Sequence, residues 1–172
     1  NVLAISGSLR MASVNSALLR ATARLAHGGI TVRVYAEIGS LPLFNPDREA
    51  QVPQEVKALR EAVAAADALI FASPEYAHGV TGVIKNTLDW LVSFEPFAYK
   101  LVAIFNASPR SIYADTALRE TLQTMSASIV DEACFRLQLV GANMDETEMA
   151  QSPTVSQEIL AALQALHGAV LG

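Results

Sequence analysis

The five residues Ala68-Leu69-Ile70-Phe71-Ala72 form an unbroken apolar run, bounded by Asp67 on one side and Ser73-Pro74 on the other. A strand with one face in water alternates apolar and polar residues. A continuous run needs cover on both faces, which is the condition of a central strand in a parallel sheet. The rest of the chain is organised around that requirement. Val2 to Ser6 is another short apolar run that stops at Gly7, and Leu101 to Phe105 is a third. Between them lie helical patterns. Asn15 to Ala26 carries Leu18, Ala21 and Leu25 on one stripe and ends at Gly28-Gly29. Pro53 to Ala66, Thr81 to Leu91, Ala114 to Ile129 and Ser156 to Val170 read as further helices. Ile30 to Tyr35 alternates like a strand with one face less buried, and Ala133 to Val140 suits a fifth, peripheral strand. Ser40 to Pro53 holds three prolines and reads as a long loop whose Leu41-Pro42-Leu43-Phe44 segment is ordered. Five strands separated by helices define an α/β chain with a parallel sheet wound on both sides, in one domain spanning residues 1–172.

Composition narrows the function. At 172 residues with 52% hydrophobic and 17% charged positions, the chain buries a sizeable core. The net charge of −5 comes from acids and bases mixed along the sequence, with no basic stripe, so nucleic acid is not an expected partner. No apolar run is long enough to span a bilayer, so no membrane association is expected. The start, Asn1 to Ile5, lacks the basic region of a signal peptide. The single cysteine, Cys134, allows no internal disulfide, and a cytoplasmic, reducing location fits. Cys134 reads as a buried strand residue without a redox role. His27, His78 and His167 lie far apart, so no protein-bound metal is expected.

In an open parallel sheet, ligands bind beyond the carboxyl ends of the strands. Three loops follow such ends. The first, Gly7 to Ser16, leads into a helix whose N-terminal N–H groups and dipole attract an anion. Ser8, Ser13 and Ser16 add hydroxyls, Asn15 an amide, and Arg10 a fork for two phosphate oxygens. One glycine is too few for a dinucleotide fingerprint and the P-loop ending is absent, so a terminal phosphate monoester is the expected ligand. The simpler reading of this loop is an ordinary strand-to-helix turn capped by Ser13 or Asn15. In the second loop, Ser73 to Gly82, backbone N–H groups can meet the polar edge of a flat heterocycle while Pro74 and Tyr76 give apolar contact. For Glu75 the plain alternative is a solvated turn residue, for His78 a helix-entry residue, and for Trp90 core or interface packing. The third loop is Asn106 to Ile112.

Gly7-Ser8-Leu9-Arg10 with Ser13 and Asn15, then Pro74-Glu75-Tyr76 and Gly82-Val83-Ile84-Lys85-Asn86-Thr87-Leu88-Asp89-Trp90, resembles the NAD(P)H-dependent FMN reductase family, which includes quinone, chromate and azo-dye reductases. The resemblance implies a flavodoxin-like three-layer sandwich with strand order 2-1-3-4-5 and non-covalent FMN. It implies that Ser8, Arg10, Ser13, Asn15 and Ser16 hold the phosphate, and that Pro74, Glu75, Tyr76, His78 and Gly79 line the ring, with Ser108 as a further contact. Where the family commonly has Asn after the Tyr and Pro ahead of the later Gly, this chain has Ala77 and Thr81. The third loop also lacks the Gly-rich stretch of many relatives. The implied activity is hydride transfer from NAD(P)H as co-substrate, through FMN, to a small-molecule acceptor such as a flavin or quinone, with no side chain needed as catalytic acid or base. The alternative is a one-electron carrier like flavodoxin. A homodimer or homotetramer is implied too, with the helix from Thr81 to Leu91 as an interface. A preference for NADPH over NADH is not legible, Arg48 and Arg110 being the arginines that stand where a 2′-phosphate could be met.

Overall fold

The computed structural model describes residues 1–172. Its sheet is built from β1 (Val2–Ser6), β2 (Val32–Val34), β3 (Ala68–Ala72), β4 (Leu101–Asn106), β5 (Ser128–Ile129) and β6 (Phe135–Arg136). All pairings are parallel, in the order β2-β1-β3-β4-β5, with β6 also beside β4. The helices are α1 (Val14–Leu25), α2 (Gln54–Ala65), α3 (Gly82–Leu91), α4 (Ile112–Thr124), α5 (Glu146–Gln151) and α6 (Pro153–Leu171). The fold is the flavodoxin-like sandwich that the sequence resemblance implies.

Side-chain parity divides the core into two layers. On β1, β3 and β4, Ala4, Ala68, Ile70, Ala72, Ala103 and Phe105 face one side and pack with α1, α5 and α6. Leu3, Ile5, Leu69, Phe71, Val102 and Ile104 face the other and pack with α2, α3 and α4. The alanines cluster on the first side. β1 and β3 are buried along their whole length, as the unbroken apolar run demands.

The peripheral strand differs from the expectation over Ala133 to Val140. The sheet edge is made in two pieces. β5 pairs with Leu101 and Val102, and β6 pairs with Phe105 and Asn106. Between them the chain makes a 3₁₀ turn over Asp131–Ala133. Cys134 is therefore a half-buried turn residue rather than a strand residue, and its Sγ accepts the Ile104 N–H at 3.2 Å where a strand carbonyl would otherwise stand. Burial raises its thiol pKa, which keeps it protonated. The segment Ser128–Ile129 is free for pairing because α4 stops at Thr124. Ser126 takes φ of 61°, its N–H bonds Gln123 O at 2.9 Å, and the Ala127 N–H bonds Leu122 O at 2.9 Å, which is a Schellman stop made without glycine. β2 is also shorter than Ile30 to Tyr35, and α6 begins at Pro153, a first-turn residue.

The proline-rich loop is ordered by α3. Asn86 accepts from the Phe44 N–H at 2.7 Å and donates to Pro42 O at 3.0 Å, and Trp90 Nε1 donates to the same carbonyl at 2.7 Å. Trp90 is fully buried. Ile84, Leu88 and Leu91 are buried with it and Val83 is partly buried against the same cluster, so most of the apolar surface of α3 is used within the chain. No helix is long and apolar enough to cross a membrane.

Candidate active site

A cavity of about 680 Å³ lies beyond the carboxyl ends of β1, β3 and β4. That volume is in the range of small-molecule and cofactor sites, roughly 300–1,000 Å³. Its walls come from segments 8–17, 73–76, 106–111 and 139–146, together with Arg20. The sequence-expected residues Ser8, Arg10, Ser13, Asn15, Pro74, Glu75, Tyr76 and Ser108 all line it. Ser16, His78 and Gly79 do not.

The first loop leaves β1 against β3, with the Gly7 N–H bonded to Ala72 O at 2.7 Å. Ser8 is folded back so that its N–H meets Ser6 Oγ at 3.3 Å while its own Oγ accepts the Arg10 N–H at 3.4 Å. Ser13 caps α1 through the Ser16 N–H at 3.3 Å. The hydroxyl of Ser16 turns inward to share a 2.8 Å hydrogen bond with Ser6, which explains its absence from the cavity wall. The N–H groups of Val14 and Asn15 in the first turn are left without a partner. No acidic residue stands in that turn. Asn15 is buried and its Oδ1 has no hydrogen-bond partner. Free N–H groups, a positive dipole end and an arginine held by no carboxylate fit a phosphate-bearing cofactor.

The second loop is a tight turn. Tyr76 and Gly79 exchange N–H···O bonds of 3.2 and 3.0 Å, and the two residues between them, Ala77 and His78, have φ of 49° and 60°. Both are left-handed, as in a type I′ turn, and Asn tolerates that conformation better than Ala does. The exposed His78 ring stacks on Tyr113, with centroids 4.1 Å apart. Glu75 is not a solvated turn residue. Its carboxylate accepts the Ala114 N–H at 2.9 Å and so caps the N-terminus of α4, tying the second loop to the third.

The far wall, residues 139–146, was not among the sequence-expected residues. It precedes α5, whose Asp145 accepts from Thr147 and Glu148 N–H groups at 2.8 Å while Glu148 reaches back to the Asp145 N–H. The Asp-x-x-Glu spacing of this capping box is readable in the sequence and marks the helix start. Glu146 bonds Arg20 at 3.2 Å across the cavity floor. The backbone N–H at the start of α5, then Arg20, hold the Glu146 pKa below the usual carboxylate value.

A doubly wound parallel sheet with a phosphate-seeking loop and an apolar turn meeting in one cavity defines a flavodoxin-like flavoprotein. The profile of the NADPH-dependent FMN reductase family matches residues 1–141. An NAD(P)H-dependent FMN reductase from Pseudomonas aeruginosa is 42% identical over 127 residues, covering 70% of this chain and 68% of that protein. A quinone reductase from Pseudomonas putida is 36% identical over 131 residues, covering 71% and 69%. In three dimensions, a flavoenzyme NAD(P)H:(acceptor) oxidoreductase from Paracoccus denitrificans superposes with a TM-score of 0.79 over 97% of each chain at 23% identity, a likeness of fold. The chain belongs to the NADPH-dependent FMN reductase family, and is an oxidoreductase of the kind that works with FMN and NAD(P)H.

Proposed function

We propose that this protein holds FMN in the cavity and passes reducing equivalents from NAD(P)H to a small acceptor of the flavin or quinone class. The observation that carries the reading is the open N-terminus of α1 beside an unpaired Arg10, in the same cavity as Pro74 and Tyr76. Ser8, Arg10, Ser13 and Asn15 would hold the phosphate; Pro74 and Tyr76 would lie along the ring, and the Glu75 cap would keep that loop in register with α4. When bound, FMN supplies the hydride chemistry. The chain's part is to bind and orient, with the backbone N–H groups of the second loop facing negative charge on the ring. No side chain is assigned a proton transfer. Nicotinamide and acceptor would take turns on one open face, which gives ping-pong kinetics. The exposed Leu9, Met11, Tyr76, Ile112 and Tyr113 gather around the loops at this edge and are the surface for a second copy in a cytoplasmic homodimer or homotetramer.

The test is an anaerobic titration of the FMN-loaded protein with NADPH and with NADH, followed by addition of a quinone. A full two-electron bleach and its reversal by quinone are expected, whereas a one-electron stage with negligible nicotinamide oxidation would establish a carrier instead. Arg10→Ala is expected to weaken FMN binding by about 1.5–3 kcal/mol, the worth of a charged hydrogen bond. An unchanged affinity would remove the phosphate assignment. Sedimentation of a monomer at micromolar concentration would remove the oligomer.

A further inference from the structure

The first and third loops are built alike. The last residue of each strand, Ser6 or Asn106, accepts the N–H of a serine two positions on, Ser8 at 3.3 Å or Ser108 at 3.0 Å. That serine's Oγ then accepts the N–H of an arginine two positions further, Arg10 at 3.4 Å or Arg110 at 3.2 Å. Each loop runs on into a helix, and each presents its serine and its arginine to the same cavity. Arg20, Arg60, Arg119 and Arg136 are each held by a carboxylate. Arg10 and Arg110 are not.

The two loops differ in what is left to bind with. In the first, the N–H groups of Val14 and Asn15 are free. In the third, the Ser111 N–H bonds Ser108 O, the Ile112 N–H bonds Arg110 O, and the Ala114 N–H is taken by Glu75. Of its first-turn backbone donors only the Tyr113 N–H is left over, and the other free donors are side chains. They are the Arg110 guanidinium, the Ser108 hydroxyl proton, and the hydroxyl of Ser111, a residue only 8% exposed that lines the cavity and makes no capping bond to α4. Asn106, itself buried, fixes this group by donating to Ser111 O at 3.3 Å. A backbone cradle suits a resident anion. An exposed arginine with two hydroxyls, opposed by the nearby Glu75 charge, suits one that arrives and leaves.

We infer that Arg110, Ser108 and Ser111 form a second anion seat in the cavity, which takes the 2′-phosphate of NADPH and makes the enzyme prefer it to NADH. The seat rests on the FMN and nicotinamide reading above. Arg48, the other arginine considered from the sequence, sits in the 3₁₀ turn Pro46–Gln51 and does not line the cavity. A dianion exchanging at Arg110 leaves the first cradle to the cofactor, so the two phosphates do not compete.

The test compares wild type, Arg110→Gln and Ser111→Ala, each loaded with FMN. Calorimetry measures adenosine 2′,5′-bisphosphate against adenosine 5′-monophosphate, and steady-state assays give the KM ratio of NADPH to NADH. Arg110→Gln is expected to weaken the bisphosphate about tenfold or more relative to the monophosphate and to raise the KM ratio by a similar factor. Ser111→Ala is expected to act in the same direction by a few fold. A wild type that does not distinguish the two nucleotides would overturn the inference. So would an Arg110→Gln enzyme that loses FMN as Arg10→Ala does, or one altered only toward an anionic acceptor such as a sulfonated quinone. A wild type that retains no FMN would instead defeat the functional reading, while its nucleotide calorimetry would still report on the seat.

Discussion

Gly7 sits where the fold and the site meet, and replacing it with alanine tests that junction. A Cβ at this position would stand 2.4 Å from Ser73 Oγ, 2.8 Å from Ser73 Cβ and 2.7 Å from Ile84 Cγ1. The hydroxyl could rotate away, since within the chain it donates only to Pro74 O at 3.1 Å. The Ser73 Cβ cannot, because it is fixed to the backbone just past β3. Relief therefore requires the ends of β1 and β3 to separate, against the 2.7 Å bond from the Gly7 N–H to Ala72 O. Overpacking of a well-filled site costs about 1–3 kcal/mol, and two obstructing elements place Gly7→Ala at the upper end. For a chain of this length that is a fall in Tm of roughly 6–12 °C.

The same geometry specifies a rescue. Ser73→Gly removes both Ser73 atoms from the clash and leaves only Ile84, whose side chain can change rotamer. The double variant Gly7→Ala/Ser73→Gly should recover part of the loss that Gly7→Ala causes alone, with a coupling energy of about 1–2 kcal/mol in a double-mutant cycle. Urea denaturation midpoints of the four proteins supply the cycle. A Gly7→Ala protein within about 0.5 kcal/mol of wild type, the range of an indifferent surface change, would refute the reasoning. Additive effects would refute it as well, because the penalty would then lie elsewhere.

Ala77 has φ of 49° in a turn that favours Asn or Gly, so Ala77→Gly should raise stability by about 1 kcal/mol, read as a Tm increase of roughly 2–4 °C; a decrease would show that the turn is not left-handed in solution. Glu75→Ala removes the cap on the Ala114 N–H and should cost about 0.5–2 kcal/mol in chemical denaturation, with Glu75→Gln losing less because its amide oxygen still accepts. The folded-state pKa of Glu146 is depressed, so the stability contributed by its hydrogen bond to the backbone N–H at the start of α5 and by its link to Arg20 is fully present above the ordinary carboxylate pKa and disappears as pH falls through the folded value. The difference in urea midpoint between wild type and Glu146→Gln should accordingly shrink on acidification from neutral pH, and a difference that stays constant would mean that the pair contributes nothing.

Where the sequence was readable, a local rule and a tertiary demand coincided. Ala68 to Ala72 must be covered on both faces, and the strands around it follow from that. The Ser8-to-Asn15 loop, Pro74 to Tyr76 and Ser108 reach one cavity because they leave neighbouring strands at the same sheet edge. The failures have separate causes. A Schellman stop at Ser126 has no glycine to announce it, so α4 was expected to run through residues that in fact pair with β4. Cys134 completes the ladder with sulfur, a substitution that no strand propensity encodes. That Trp90 is core was not legible from α3 alone, because the groups that cover it, Pro42 and Phe44, are brought to it from far along the chain. The wall at 139–146 did carry a signal, the Asp145 to Glu148 capping box, but a helix start says nothing about which cavity it faces.

Glu75 shows why matching a family motif does not fix a residue's task. As part of Pro74-Glu75-Tyr76 it was expected at the flavin ring, and it does line the cavity. Its carboxylate is nevertheless committed to the Ala114 N–H, three residues beyond Ser111. That commitment has two effects in opposite directions. It takes one of the anion-attracting N–H groups of α4 from within the chain, so α4 offers a ligand fewer free first-turn N–H groups than α1, which keeps those of Val14 and Asn15. It also fastens the second loop to the third, the loop that carries Arg110. On the proposed reading, in which one phosphate is retained and another released, this asymmetry separates the two seats, since two equally open helix ends on one cavity would bind both ligands alike.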